Sequence, residues 1–244
     1  VHKMMTFDGH FFGTGSFLSR SLSLPEEAYF PVTVMDNPES HNEEELLEKI
    51  EQEFETGDYL AVWIEPLLQK TLKRVSVSFL KELKKLCQKF DLPLVYNETA
   101  SQMYRYSEDH YFLSNVSELR PDCGLAYMGG QAAFVYCSDE YFLEKPLMMI
   151  STWDGDEFSL GCYHRAMTMM EKDHGKFKEL RKNFDKKLKD VLEKYPTNHI
   201  EIENGVGYFK GKIPHQLSQY LNSNKDAYLV CPSASSMKRF LEEF

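Results

Sequence analysis

Apolar residues occur along the first part of the chain either in short continuous runs or at helical spacing. The run from Tyr59 to Ile64 is almost entirely apolar, which is typical of a strand buried on both faces of a sheet. Shorter runs of the same kind lie at 1–7, 94–96, 125–127 and 133–136. Helical repeats of leucine and phenylalanine lie between them, at 42–57 and 79–90. Strands and helices that alternate with short connections predict an α/β fold with a mostly parallel sheet and helices on its faces.

Helix-end residues support the first of these helices. Asn42 precedes the apolar repeat as an N-cap, Glu45 stands in the capping-box position, and Gly57 follows the last apolar residue. In parallel sheets, ligands bind at the carboxyl ends of the strands. The residues that follow three of the apolar runs, Glu65, Asn97 and Met128, are therefore candidates for a site.

The second half of the chain has a different pattern. A methionine-rich helix is predicted over 156–172, and a long helix with one apolar and one lysine-rich face follows Gly175 and ends before Pro196. Short strands are predicted near 200–202, 207–209 and 227–230. We therefore predict two parts: residues 1–155 form a large α/β domain, and residues 156–244 form a linking helix with a small α+β domain.

Charge and cysteine content exclude several classes of protein. The net charge of −10 argues against contact with nucleic acid or an anionic membrane, because both need a basic face. No apolar run approaches the roughly 20 residues that span a bilayer. The five cysteines are scattered and form no CxxC pair, and no histidine lies at metal-ligand spacing from another ligand. We expect a cytoplasmic protein without a metal site.

Seven segments carry motifs of one known family, in the same order and at similar spacing. They are Thr6–Gly13, Trp63–Pro66, Phe79–Cys87, Leu94–Thr99, Arg120–Asp122, Ser151–Gly155 and Gly205–Gly207. Together they resemble the pyridoxal-phosphate-dependent aminotransferases of class III, which have fold type I, and most of all the lysine 6-aminotransferase branch. The resemblance implies the large domain of that fold and a smaller α+β C-terminal region. It also implies that the family's N-terminal part, which cradles the cofactor phosphate, would precede Val1.

The resemblance places two unexpected residues at the catalytic positions. Counted from Pro121-Asp122, the lysine that binds the cofactor as a Schiff base is replaced by Met128, whose thioether can neither attack an aldehyde nor carry a proton. The aspartate that keeps the pyridinium protonated is replaced by Asn97, which has no charge. An offset in the alignment would move the lysine position to Gly129 or Gly130, and neither is a lysine.

Other cofactor contacts of the family have counterparts here. Phe11 corresponds to the aromatic residue that stacks on the cofactor ring, and Thr152 corresponds to the threonine that reaches the phosphate in the partner subunit. Phe12 replaces the neighbouring histidine, and Lys70 replaces a gating glutamate. Each position also has a purely structural explanation: Phe11 and Phe12 as core residues, Asn97 as the cap of a strand end, and Lys70 as a solvated loop lysine.

The resemblance thus leads to three hypotheses. The first is an inactive protein with the aminotransferase fold that acts as a scaffold, a regulator or the inactive subunit of a heterodimer, with no covalently bound cofactor. The alternative is an active class III enzyme that uses pyridoxal phosphate, with Lys70 or a residue outside this segment as its lysine, on a lysine-like or ω-amino acid. The third is a protein that binds a small molecule in the family's cofactor cleft. Because family members build each site from two subunits, the resemblance also implies a dimer, with a second copy or with a related aminotransferase chain.

Overall fold

The computed structural model describes residues 3–12, 31–127, 133–142, 144, 157–195, 197–211, 215–217, 220–224, 227–230 and 234–244. In the first part, the strands are β1 Lys3–Phe7, β2 Val32–Met35, β3 Tyr59–Ile64, β4 Leu94–Asn97, β5 Cys123–Tyr127 and β6 Ala133–Cys137, and the helices are α1 Glu43–Thr56 and α2 Val77–Lys89. Short 3-10 helices follow at Leu113–Asn115, Ser117–Leu119 and Asp139–Tyr141.

These six strands form one sheet in the order β2-β1-β3-β4-β5-β6. All neighbours run parallel except β5 and β6, which are antiparallel. The predicted α/β class with a mostly parallel sheet is therefore confirmed. The edge strand β2 was not predicted, because Val32–Met35 is only four residues long and its apolar pattern is interrupted by a threonine.

Local sequence explains why α1 and α2 form where they do. The Asn42 side chain accepts a hydrogen bond from the Glu44 N–H at 3.0 Å, and α1 has three glutamates in its first turn, where the helix dipole favours negative charge. The Ser76 hydroxyl caps α2 through the Phe79 N–H at 3.0 Å. The buried residues of α1 and α2 belong to one core cluster together with those of β1, β3 and β4.

The second part of the chain forms a separate sheet and core. Its helices are α3 Glu157–Lys172, α4 His174–Leu192 and α5 Ala234–Glu243, and its strands are β7 Thr197–Glu203, β8 Val206–Gly211, β9 Leu221–Asn224 and β10 Ala227–Val230. The strands form an antiparallel sheet in the order β7-β8-β10-β9. Its core is rich in aromatic residues: Phe184, Phe209 and Phe240 are fully buried. The division into domains at residue 155 stays a prediction.

Two arginines connect the two sheets. The Arg181 guanidinium on α4 donates hydrogen bonds to the backbone carbonyls of Met103 and Tyr104, the latter at 2.9 Å. Arg74 donates to the carbonyls of Arg105 at 2.9 Å and Glu203 at 2.7 Å. Within the described segments, no helix is long and apolar enough to cross a membrane.

Candidate functional site

The carboxyl ends of β3 and β4 bring two of the predicted residues together. Glu65 follows β3, Asn97 ends β4, and the two strands pair in parallel through Ile64 and Tyr96. Both polar side chains are almost completely buried, with 0% of Glu65 and 2% of Asn97 exposed. The Asn97 amide nitrogen lies 3.5 Å from the Glu65 carboxylate. The carboxyl end of the sheet therefore holds a buried polar cluster, as its strand pattern predicted.

The peptide of Phe11 lies over this cluster and is held by three hydrogen bonds. Its N–H donates to the Glu65 carboxylate at 2.8 Å. Its carbonyl accepts one hydrogen bond from the Asn97 amide at 3.0 Å and another from the Trp63 indole at 3.2 Å. The Phe11 side chain is 40% exposed. Phe11 is thus not a core residue, and its backbone, fixed from three sides, lies at the ends of β3 and β4.

The amide of Asn97 makes hydrogen bonds inside the chain through both its nitrogen and its oxygen. Its nitrogen donates to the Phe11 carbonyl, and its oxygen accepts a hydrogen bond from the Thr99 N–H at 3.1 Å. An amide in this position is neutral, so it supplies no negative charge to hold a proton on a ring nitrogen. Asn97 therefore acts in this structure as the anchor of the residues around it.

Glu65 and His10 form the buried floor of the site. The His10 ring accepts a hydrogen bond from the Glu65 N–H at Nδ1, over 2.9 Å, which assigns the ring proton to Nε2. That Nε2 atom is buried and has no partner among the described residues. Burial lowers the pKa of His10 to about 3 and raises the pKa of Glu65 to about 8. At neutral pH, His10 is uncharged and the Glu65 carboxyl is largely protonated.

Glu98, directly after Asn97, has a structural part in the same region. Its carboxylate accepts hydrogen bonds from the Leu113 N–H at 2.5 Å, the Ser114 N–H at 3.1 Å and the Tyr136 hydroxyl at 2.5 Å. Burial and the nearby Glu98 charge raise the pKa of Tyr136, so its hydroxyl stays a donor. A Cβ atom at Gly124 would collide with that hydroxyl, which explains the glycine in β5. Glu98 thereby ties β4, β6 and the loop at 113–114 together.

The structure describes only some of the other residues singled out in the sequence. Met128 and Thr152 lie outside the described residues, as do Gly129 and Gly130. The Gln102 side chain donates to the carbonyl of Tyr127, the residue before Met128, at 2.8 Å and to the Thr99 carbonyl at 3.0 Å, so the end of β5 lies beside the residues that follow Asn97. Lys70 is exposed in the turn after Leu68, and Phe12 is half-buried.

Sequence reasoning missed the contributions of His10 and Glu98. Each of the two residues stands next to a position that the sequence had singled out: His10 adjoins Phe11, and Glu98 follows Asn97 at a strand end. The contacts that give them their place in the site, however, reach far along the chain: the His10 ring binds the Glu65 N–H, 55 positions away, and Glu98 binds Tyr136, 38 positions away. Such contacts follow from the sheet order and not from local spacing.

The described residues do not fit the protonated pyridine ring of pyridoxal phosphate. Such a ring needs a carboxylate beside its nitrogen, and the residue at that position by resemblance, Asn97, presents an amide that is already bonded to Phe11. The carboxyl of Glu65 is engaged by the Phe11 N–H and is largely neutral at pH 7.

Comparison with known proteins identifies the fold. No protein-family model and no curated protein matches the chain in sequence. Solved structures do match, among them ornithine δ-aminotransferase from Plasmodium falciparum, with a TM-score of 0.69, 16% identity, and coverage of 99% of this chain and 64% of that one. Ornithine aminotransferase from Toxoplasma gondii matches with a TM-score of 0.71 and 13% identity, over 99% of this chain and 64% of that one. N-acetylornithine aminotransferase from Stenotrophomonas maltophilia matches with a TM-score of 0.66 and 15% identity, over 99% of this chain and 64% of that one.

The chain thus spans less than two thirds of the length of these enzymes. The match covers almost all of this chain, and the identity is low enough that it concerns architecture alone. The chain has the α/β fold of the fold-type I aminotransferases.

Proposed function

We propose that this chain is an aminotransferase-fold protein without aminotransferase activity, which acts as a scaffold, a regulator or an inactive subunit. The observation that carries the proposal is the state of Asn97, whose amide supplies no negative charge and is already bonded to Phe11 and Thr99. Without a carboxylate at this position, a pyridine ring loses the proton that makes it an electron sink.

Met128 supports the same proposal independently. A thioether has no amine with which to hold the cofactor aldehyde covalently, and it cannot carry a proton during the reaction. Each loss removes a separate contribution to catalysis. Two such replacements in one chain favour an inactive protein over an enzyme with one altered residue.

The test is covalent capture of the cofactor. After incubation with pyridoxal phosphate and reduction with borohydride, we expect the unchanged protein to show no gain in mass and no transamination of lysine, ornithine or 4-aminobutyrate. Met128→Lys supplies an amine and should become labelled in most molecules. Turnover should stay poor until Asn97→Asp is added, because the electron sink needs its own charge.

Met128→Leu is the matched control, since it keeps an apolar side chain of similar volume and adds no amine. It should behave as the unchanged protein does. Labelling and robust transamination by the unchanged protein would overturn the proposal in favour of an active enzyme that uses pyridoxal phosphate, and Lys70 would be the first residue to replace. Labelling of Met128→Leu to the same extent as Met128→Lys would show that position 128 lies outside the cofactor site.

We also propose that the chain forms a two-fold dimer, with itself or with a related active chain, through α3. This helix follows the segment that contains Thr152, which by resemblance reaches into the partner subunit. One side of α3 presents Phe158, Gly161, Cys162 and Met169 to solvent around one charged residue, Arg165, with 79% of Phe158 and 48% of Met169 exposed. Residues at this spacing lie on one face of a helix, and an exposed apolar face of this kind is typical of an interface.

Light scattering at micromolar concentration tests the homodimer. We expect a mass twice that of the chain, and we expect Phe158→Asp to convert the dimer to monomer by placing a charge in the apolar contact. His164→Asp introduces the same charge on a different side of α3, where His164 is exposed, and should leave the mass unchanged. A monomeric unchanged protein that also fails to bind a related aminotransferase chain would contradict the proposal.

The remaining assignments follow from composition. We propose that the protein is cytoplasmic, because its cysteines are scattered and those that the structure describes are free thiols. Its net charge of −10 favours partners other than nucleic acid and anionic membranes.

A further inference from the structure

Cys123 and Cys137 face each other across the antiparallel strands β5 and β6. The two residues are direct partners in the register of this pair. The next pair outward, Asp122 and Ser138, is hydrogen-bonded, since the Ser138 N–H donates to the Asp122 carbonyl at 2.8 Å. Hydrogen-bonded and non-hydrogen-bonded pairs alternate along an antiparallel ladder. Cys123 and Cys137 therefore form a non-hydrogen-bonded pair.

This geometry brings the two sulfur atoms within bonding reach. In a non-hydrogen-bonded pair the Cα atoms are about 4.5 Å apart, and the side chains on one face are at their closest. Disulfides span Cα separations of about 4.4 to 6.8 Å. The electrostatic influence of Cys137 on Cys123 is consistent with two adjacent thiols. The ladder position of the pair therefore matches the Cα separation that a disulfide needs.

The pair is also accessible. Both cysteines are free and half-buried, in contrast to Cys87, which is fully buried. Cys137 lines a cavity of about 610 Å³ together with Ser138, Arg120 and Phe112, and this volume admits a molecule the size of a short peptide. A small thiol reagent can therefore reach Cys137 from solvent.

We propose that Cys123 and Cys137 are a redox-responsive dithiol, which a low-molecular-weight disulfide such as oxidised glutathione converts to a disulfide across β5 and β6. The bond would join the edge strand β6 covalently to β5, the strand that leads to Met128. This proposal is independent of the assignment of Met128 and Asn97, because it requires neither cofactor nor turnover.

The exchange takes place in two steps. The Cys137 thiolate attacks one sulfur of oxidised glutathione, which breaks the reagent's disulfide, forms a mixed disulfide and releases one glutathione thiolate. The Cys123 thiol then loses its proton to solvent and attacks the Cys137 sulfur, which releases the second glutathione. Overall, two protein thiols are oxidised to one disulfide, and one molecule of oxidised glutathione is reduced to two of glutathione.

The surroundings of Cys123 determine the order of these steps. Burial, with the nearby Cys137 and Asp122, raises the pKa of Cys123 to about 11, and the Tyr141 hydroxyl lies in the same neighbourhood. Its thiolate is therefore scarce at neutral pH, so we assign the first attack to Cys137. Ring closure by Cys123 should be the slow step, and its rate should rise about tenfold for each unit by which the pH increases toward that pKa.

Peptide mapping tests the proposal on the unchanged protein. The protein is incubated with excess oxidised glutathione at pH 8 and at pH 9, its remaining thiols are blocked, and it is digested with chymotrypsin. Because this protease cleaves after aromatic residues, including Tyr127 and Phe134, only a disulfide keeps the two cysteine fragments together. We expect linked fragments from most molecules, and faster linkage at pH 9.

Serine variants identify the partners. Cys137→Ser should abolish the link, and Cys123→Ser should accumulate a glutathione adduct on Cys137, roughly tenfold above the unchanged protein, because nothing resolves it. Cys162→Ser should leave the link intact. The proposal is overturned if the unchanged protein yields separate fragments at both pH values, keeps a stable glutathione adduct on Cys137, or links either cysteine to another residue instead.

Discussion

Glu98→Ala is expected to lower the free energy of unfolding by about 4 kcal/mol or more, the largest loss of any single substitution considered for this chain. The side chain is fully buried and accepts hydrogen bonds from the N–H groups of Leu113 and Ser114 and from the Tyr136 hydroxyl. Alanine leaves the buried N–H groups of Leu113 and Ser114 and the half-buried Tyr136 hydroxyl without this acceptor, and each buried unsatisfied group costs about 1–3 kcal/mol. Urea unfolding followed by circular dichroism measures the loss.

Two further variants test whether the loss of stability comes from the hydrogen bonds to Glu98 or from removing any glutamate. Glu98→Gln keeps the shape and one acceptor oxygen, so we expect a smaller loss of about 2 kcal/mol. Glu48→Ala removes a glutamate from the exposed face of α1 and should change stability by no more than about 0.5 kcal/mol. A Glu98→Ala variant as stable as Glu48→Ala would show that the three donors find other partners.

The second large effect concerns the pH dependence of stability at Glu65. In the unfolded chain this carboxyl has its ordinary pKa of 4.5, and burial raises its pKa to about 8 in the folded protein. A raised carboxyl pKa makes the folded state hold a proton that the unfolded state has lost, so stability falls as the pH rises from about 4.5 to about 8. This loss of stability is absent below that pH range and complete above it.

Glu65→Gln removes this titration and keeps an oxygen that can accept the Phe11 N–H. We expect the stability of the variant relative to the unchanged protein, measured as free energy of unfolding, to rise by about 4 kcal/mol between pH 5 and pH 8.5. His10 has its own pH dependence, but it is present in both proteins and cancels in the difference. Glu44→Gln, at an exposed position of α1, is the control and should show no difference that depends on pH.

Parallel stability profiles for Glu65→Gln and the unchanged protein between pH 5 and pH 8.5 would contradict the raised pKa. Such a result would mean that the carboxylate stays ionised and is stabilised by the N–H groups of Phe11 and Gln69, which lower its pKa. The site would then hold a buried negative charge at neutral pH.

Much of the fold could be predicted because its elements carry local signals. The strand Tyr59–Ile64 follows from one apolar run, and α1 follows from Asn42, its leucine repeat and Gly57. Strand β9, Leu221–Asn224, could not be predicted, since its sequence LNSN has one apolar residue and is rich in turn formers. It pairs only because β10 presents an edge to it. Strand β9 therefore forms because of tertiary contacts and not because of its local sequence.

The candidate site was predictable only as far as strand ends indicate it. Glu65 and Asn97 follow buried strands, and the parallel order of β3 and β4 places them side by side. The position of the Phe11 peptide depends on contacts with residues more than 50 positions away, which no local pattern contains. The sequence therefore indicated where polar groups gather but not which of their hydrogen bonds are already taken.

The hydrogen bonds of the Phe11 peptide affect how easily a ligand can reach Asn97. Its three hydrogen bonds, at about 1 kcal/mol each, hold the open arrangement to a population on the order of 1%. A ligand that must reach Asn97 by displacing this peptide selects that minor population, and its apparent dissociation constant rises roughly 100-fold. A ligand that contacts only the exposed Phe11 ring binds the major population and has no such penalty. Small molecules are thereby distinguished by whether they must displace the Phe11 peptide to bind.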